Sequence, residues 1–254
     1  MRNIKLTIEY EGTHYAGWQK QKHRCHNKLL PHQPTTIQET IENALHKILR
    51  EKIRLIVSGR TDAGVHALGQ VANFKTKSAI TEEKLKRALN GLLPCDISIV
   101  NVEQVGLDFH SRFDARAKIY RYAIFNQSHR SALLRDRAYF YRYPLDIGLM
   151  RRESKCLLGR HDFKGFQASA GKERNSIKTI RKINIMKDND FMHIEIEADG
   201  FLYNMVRNIV GTLIEIGRFK FAKGSLKKIL LAKDRKMAGP TAPACGLYLV
   251  KVKY

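Results

Sequence analysis

The sequence predicts an α+β chain of two related halves, residues 1–105 and 106–254, each running β-α-β-β-α-β. Three observations predict it. Short runs of alternating apolar residues, the period of half-buried strands, interleave with longer runs at helical spacing. The order of these runs in the first half recurs in the second. At 254 residues and 43% hydrophobic content, the chain can build its core without disulfide or metal staples.

In the first half, Ile4, Leu6, Ile8 and Tyr10 alternate with Lys5, Thr7 and Glu9, giving a strand with one buried face. A glycine-punctuated loop, Gly12 to Gln19, follows and holds the only tryptophan, Trp18, which reads as a core anchor more readily than as a stacking surface. Lys20 to Pro34 is a polar surface loop ending in two prolines. It carries His23, Cys25, His26 and His32, but their spacing matches no zinc pattern and no metal is assigned. Thr36 and Glu39 form a capping box for a helix with Ile37, Ile41, Ala44, Leu45, Ile48 and Leu49 on its apolar face. Strands are expected at Ile53 to Val57 and Gln70 to Phe74. Thr81-Glu82-Glu83 then opens a helix with Leu85, Ala88, Leu89 and Leu92 on one face, and Pro94 stops it. Ile97, Ile99 and Val102 complete the order of a ferredoxin-like unit.

The second half begins after a boundary near Gly106 to Arg116. Tyr120, Tyr122 and Ile124 mark a strand, Ile147 to Leu158 a helix, and Ile177 to Met186 with Phe191 to Ala198 a strand pair. Tyr203 to Ile216 is a helix, Ser225 to Leu231 a shorter one, and Leu247 to Val252 the closing strand. Where this half has the short turn Lys187-Asp188-Asn189-Asp190, the first half has an elaborated loop, Gly59-Arg60-Thr61-Asp62-Ala63-Gly64-Val65-His66-Ala67.

That loop is where chemistry is expected. Gly59 and Gly64 can take positive φ and admit a close ligand. A carboxylate two residues from an arginine can stay ionised with a lowered pKa, ready to act as nucleophile or base. The plain alternative is an Asx-turn capped by Asp62 beside a surface ion pair. In the second half, Arg207 falls on the opening turns of a helix, where the dipole disfavours a cation unless a carboxylate or phosphate lies nearby.

Bulk charge narrows the partner. Lys and Arg number 46 against 24 Asp and Glu, leaving +22, which calls for a polyanion. Aromatics interleave with the cations in Lys118-Ile119-Tyr120-Arg121-Tyr122 and in Arg137-Ala138-Tyr139-Phe140-Tyr141-Arg142-Tyr143, which suits phosphate contact and base stacking, and equally suits half-buried strands. Cys25, Cys95, Cys156 and Cys245 form no Cys-x-x-Cys pair, in keeping with reduced thiols and a cytoplasmic setting. No stretch approaches membrane-spanning length.

Taken together, these residues resemble the tRNA pseudouridine synthase A (TruA) family. The likeness rests on Tyr10-Glu11-Gly12-Thr13 and Gly17-Trp18-Gln19, the Gly59 to Ala67 loop, and Phe113-Asp114-Ala115-Arg116 leading to Tyr120-Arg121-Tyr122. It continues through Phe201 to Gly211 and Ala242 to Leu249. The Lys20 to Pro34 loop is longer than the family pattern. The resemblance implies a pseudouridine synthase fold with a central, mostly antiparallel sheet and a basic cleft. It implies an isomerase, free of cofactor and metal, that turns uridine into pseudouridine at positions 38, 39 and 40 of the tRNA anticodon stem-loop, as a homodimer. By the same likeness Asp62 is the catalytic aspartate, Arg60 assists nucleotide flipping, Tyr120 stacks on the uracil and Arg207 pairs with Asp62.

The chemistry is compatible. Moving the glycosidic bond from N1 to C5 needs a carboxylate near the sugar, either to attack C1′ or to remove the 2′ proton, and a lid that keeps the detached base in place. A non-catalytic RNA-binding module would explain the charge but not the carboxylate between glycines. A phosphate-ester hydrolase would need a metal or a second carboxylate beside Asp62, and the loop supplies neither.

Overall fold

A computed structural model describes residues 1–19, 35–168 and 175–254. The chain forms two compact units, one of Met1–Ala115 with Leu249–Val252 and Tyr254, the other of Arg116–Tyr248 with Lys253. The Lys20 to Pro34 segment, including His23, Cys25, His26 and His32, lies outside the described residues.

The first unit runs β1 (Arg2–Tyr10), α1 (Ile37–Leu49), β2 (Ile56–Val57), β3 (His66–Thr76), α2 (Glu82–Leu92) and β4 (Ile97–Val105). Its strands lie in the order β4-β1-β3-β2, all antiparallel. The alternation in β1 places Ile4, Leu6 and Ile8 in the core at 2% exposure or less. The Thr36 side chain caps α1 by accepting from the Glu39 N–H at 3.3 Å, and Ile37, Ile41, Ala44 and Leu45 are buried. Two expectations are corrected. The strand expected from Ile53 reaches only Ile56–Val57, because the Leu55 N–H is taken at 2.9 Å by the Glu42 carboxylate on α1 and not by a neighbouring strand. Leu92 ends α2 half-exposed instead of packing with Leu85 and Leu89.

The second unit contains β5 (Ala117–Phe125), β6 (Tyr139–Phe140), α3 (Ile147–Ser154), β7 (Gly159–Asp162), β8 (Ile177–Asp188), β9 (Phe191–Ala198), α4 (Met205–Gly217) and α5 (Ser225–Ala232). The last strand, β10 (Leu247–Lys253), contributes Leu249–Val252 to the first unit. Strands β5-β9-β8-β7 pair antiparallel in that order, and β6 lies parallel to β5. The helix expected to reach Leu158 ends at Ser154 and tightens into a 3-10 turn over Lys155–Leu157. α4 starts at Met205, two residues late, because Asn204 sits at φ 58° and cannot belong to a right-handed helix. The β8–β9 turn is tighter than expected. Lys187 and Asp188 still pair with β9, leaving Asn189, at φ 50°, and Asp190 to make the reversal. Strands β6 and β7 are too short to show a period. Among the described residues no helix is long and apolar enough to cross a membrane, and Cys95, Cys156 and Cys245 are free thiols.

Candidate active site

In the first unit the loop from Ser58 to Val65 joins β2 to β3. His66 and Ala67, expected in the loop, already belong to β3. The N–H of Val65 donates to the Asp62 carbonyl at 3.2 Å, and Gly64 at φ 76° makes the tight turn possible. Gly59, the other glycine free to take positive φ, does not adopt it. Arg60 is exposed, Asp62 half-buried, and Thr61 between them is buried. A solvent-facing cation and a partly shielded carboxylate thus share one turn, with the intervening side chain turned into the protein.

What fixes Thr61 is a buried polar lattice. Its hydroxyl lies 2.7 Å from the Tyr10 hydroxyl, at the end of β1. A register shift between Ile8 and Tyr10 sets Tyr10 opposite Ala67, directly beside the loop. The Gln70 side-chain amide donates to the Gly59 carbonyl at 2.9 Å and to the Tyr10 hydroxyl at 3.5 Å. Its oxygen accepts from the Ser58 hydroxyl at 2.7 Å and from the Val71 N–H at 3.1 Å. Burial pushes the Tyr10 phenol up to about 12, against a smaller downward pull from its bonds to Thr61 and Gln70. Tyr10 is therefore a neutral hydrogen-bonding strut.

A second support comes from the loop after β1. Trp18 is fully buried, as expected, and its backbone N–H donates to the Thr61 carbonyl at 3.0 Å. Gly12 donates to His66 Nδ1 at 3.1 Å. Both glycines are dictated by space. A Cβ on Gly17, which sits at φ 86°, would meet the Thr61 carbonyl oxygen at 2.7 Å, and one on Gly12 would meet the Val65 carbonyl oxygen at 2.0 Å. Only bare backbone can approach the Asp62 turn this closely.

In the second unit Tyr120 lies on β5 opposite Ile196, largely buried, its ring edge-on to Phe201 at 5.0 Å. Arg207 lies on the first turn of α4. Its Nε donates to the Ala242 carbonyl at 2.7 Å and its Nη1 to Asn204 Oδ1 at 3.0 Å, so two neutral oxygens help offset the dipole at this helix end. The Ala242 N–H returns a bond to the Arg207 carbonyl at 3.1 Å. The segment carrying Ala242 is itself pinned. Arg235 Nη2 donates to Asn208 Oδ1 and Thr241 Oγ1, both at 3.0 Å, and its Nη1 to the Gly239 carbonyl at 3.0 Å. Asn208 donates to the Phe166 carbonyl at 2.7 Å. A Cβ on Gly211 would overlap the Pro240 oxygen at 1.7 Å, so α4 and this segment touch backbone to backbone. The Tyr122 hydroxyl donates to the Pro243 carbonyl at 2.7 Å, and burial first, then the Cys245 thiol, raises its pKa while Arg207 lowers it.

Arg60 and Asp62 thus share a loop of the first unit, and Tyr120 and Arg207 stand on separate elements of the second. Reading the sequence missed Tyr10 and Gln70 as supports, gave Asn208 no role although it lies in the motif around Arg207, and missed Arg235 and Thr241 altogether. One signal was available. β3 is buried on both faces, and a polar residue such as Gln70 or Asn73 in such a run must have a partner.

A profile described as tRNA pseudouridine synthase matches residues 6–114 and 154–254, stretches that contain Arg60, Asp62 and Arg207, with Tyr120 falling between them. The chain is 47% identical over 254 residues, the full length of both, to a protein of Acetivibrio thermocellus called tRNA pseudouridine synthase A. It is 48% identical over 253 residues, all of this chain and 99% of the relative, to a Clostridium tetani protein called tRNA pseudouridine synthase A 2. A Clostridium acetobutylicum protein called tRNA pseudouridine synthase A is 45% identical, again over both full lengths. With a family profile over most of its length and relatives this close from end to end, the chain belongs to the tRNA pseudouridine synthase A family.

Proposed function

We propose that this chain isomerises uridine to pseudouridine in tRNA, at positions 38, 39 and 40 of the anticodon stem-loop. The observation that carries the proposal is the Asp62 carboxylate, held on a glycine-bearing turn by buried bonds, in a chain 47% identical throughout to a protein named for this reaction. In this reading the halves 1–105 and 106–254 are related ferredoxin-like units facing a basic cleft, the first carrying the Asp62 loop and the second completing the site. The enzyme works as a cytoplasmic homodimer without metal or cofactor.

Each residue has one task. Asp62 acts at the sugar, either attacking C1′ as the C1′–N1 bond breaks or removing the 2′ proton. The freed uracil turns and C5 bonds to C1′, as the Asp62–C1′ bond breaks in the first route or the 2′ proton returns to the sugar in the second, and the proton lost from C5 is balanced by one gained at N1. Tyr120 forms the flat wall on which the uracil turns without escaping. Arg60, exposed on the loop, assists flipping of the target nucleotide, whose unstacking costs a few kcal/mol that phosphate contacts offset. Arg207 pairs with Asp62 and keeps it ionised.

The test is incubation with uracil-labelled tRNA followed by nucleoside analysis, since pseudouridine keeps the mass of uridine and changes its bond. Asp62→Asn is expected to abolish product while tRNA affinity stays within about tenfold, because phosphate contacts dominate binding. Product from a pure Asp62→Asn protein would remove Asp62 from the mechanism.

A further inference from the structure

Residues 106–116 connect β4 to β5, and the backbone from Gly106 to Asp114 is tied down within the first unit. Asn3, fully buried, donates to the carbonyls of Gly106 and Phe109, both at 2.9 Å. Buried Asn73 accepts from the Ser111 N–H at 2.9 Å and donates to the Phe109 carbonyl at 3.3 Å. The Ser111 hydroxyl donates to the Ile56 carbonyl at 2.6 Å, and the Tyr254 hydroxyl to the Ser111 carbonyl at 2.8 Å. The apex is stiffened too. The Asp114 carboxylate accepts from the His110 N–H at 2.9 Å, and His110 Nδ1 accepts from the N–H groups of Arg112 and Phe113 at 3.2 and 3.3 Å.

This anchored loop presents a large apolar ring to water. Phe113 is 75% exposed. The His110 imidazole stacks with it at 4.2 Å and 28°, and the Arg112 guanidinium lies 5.9 Å from its centroid. Phenylalanine is ordinarily buried, and a loop with its backbone this constrained gives up little conformational freedom when a flat partner settles on the ring. A cation beside an exposed aromatic is the pairing that holds an unstacked nucleotide, base on the ring and phosphate on the charge. A protein partner fits less well, because interfaces are depleted of Asp, and Asp114 immediately follows Phe113 in the loop.

We propose that Phe113 and Arg112 form a stacking platform for an unpaired nucleotide of the RNA substrate, separate from the residues assigned to the reaction. The proposal rests on the RNA-isomerase reading above. Because every base has a π-face, the platform favours unpaired over paired RNA and shows little preference among bases.

The experiment measures the affinity of fluorescein-labelled tRNA transcript and of a short RNA duplex, across a salt series, for the wild type, Phe113→Ala, Phe113→Trp and Arg112→Gln. With the ring so exposed, the substitutions leave the core untouched. Phe113→Ala is expected to weaken tRNA binding about 5- to 150-fold without changing the salt slope or duplex affinity, and Phe113→Trp to stay near wild type. Arg112→Gln is expected to flatten the salt slope by about 0.7 to 0.9. Unchanged tRNA affinity in Phe113→Ala would overturn the platform. So would a dimer that dissociates in Phe113→Ala on sedimentation, which would assign the ring to contact between copies. Pseudouridine formation by the wild type is assayed alongside, so that failure of the catalytic reading is seen separately from failure of the platform.

Discussion

Replacing Tyr10 by phenylalanine removes one oxygen from the lattice under the Asp62 turn and leaves the ring's packing in place. The lost oxygen lies 2.7 Å from the Thr61 hydroxyl and 3.5 Å from the Gln70 amide nitrogen. Gln70 keeps its bond to the Gly59 carbonyl. Thr61, only 7% exposed, is left with a buried hydroxyl that has lost this partner. A hydrogen bond contributes a net of about 0.5–1.5 kcal/mol, whereas stranding one buried partner costs about 1–3 kcal/mol, so the expected loss of stability is about 1–3 kcal/mol. Thr61→Val should cost a similar amount, since it removes the 2.7 Å partner of the buried phenol and leaves it only the 3.5 Å contact from Gln70. With both oxygens gone no group is stranded, so the double variant should cost about as much as either single one, well short of their sum. Urea unfolding of the four proteins measures this. Thr61 is also the residue before Asp62, and displacing a reacting group by about 1 Å can cost roughly a hundredfold in rate. Tyr10→Phe should therefore lower kcat by about tenfold or more with little change in KM, since phosphate contacts set the affinity. Additive stability losses would refute the coupling, and an unchanged kcat would confine the lattice to a structural role.

The same phenol predicts an alkaline signature. Its folded pKa of about 12 lies above the ordinary 10.0, so its contribution to stability is full below pH 10 and is lost as pH rises to about 12; urea midpoints of Tyr10→Phe should decline less across that window. Gly211→Ala, with a Cβ placed 1.7 Å from the Pro240 oxygen, should unfold at markedly lower urea. Gly91→Ala on α2, where nothing lies within 4 Å, should stabilise by about 0.5–1 kcal/mol. Arg207→Ala should lose most activity. Its unfolding also reports the lost bonds to Ala242 and Asn204, so Arg207→Lys, which keeps charge but not the planar fork, separates the two effects.

Elements whose burial follows a period were legible, and their supports were not. The alternation of β1 and the apolar face of α1 follow from how often a side chain meets the core, and a period records that directly. The Asp62 loop was legible for another reason, since a polar, glycine-bearing stretch between two apolar runs leaves few structural tasks for its charges. The strand lost at Ile53 to Leu55 was not legible. Those residues are as buried as a strand would be, but the Leu55 N–H is satisfied by Glu42 on a helix, and burial alone does not say which partner takes a main-chain bond. Lys187 and Asp188 were assigned to a turn because charge is common in turns, yet at an exposed strand end the same charges stay in water while the backbone pairs.

The lattice beneath Asp62 was hidden by distance along the chain. Tyr10 reaches Thr61 across 51 positions, Gln70 reaches Tyr10 across 60, and Gly12 meets His66 across 54. No window of sequence contains both partners. Tyr10 also sits in perfect alternation with Ile4, Leu6 and Ile8, so its ring was accounted for by packing and its hydroxyl passed unnoticed. Yet a fully buried phenol must place that hydroxyl somewhere, and Thr61 and Gln70 are polar side chains buried with it. The glycines bear on the same point from the other side. Gly12 and Gly17 looked like loop punctuation, but each lacks a side chain because the Asp62 turn occupies the space where one would go. Their conformation answers to residues about fifty positions away. The turn that carries the carboxylate is thus held by β1, by the loop after β1 and by β3 together, and its geometry exists only once those three have come into register.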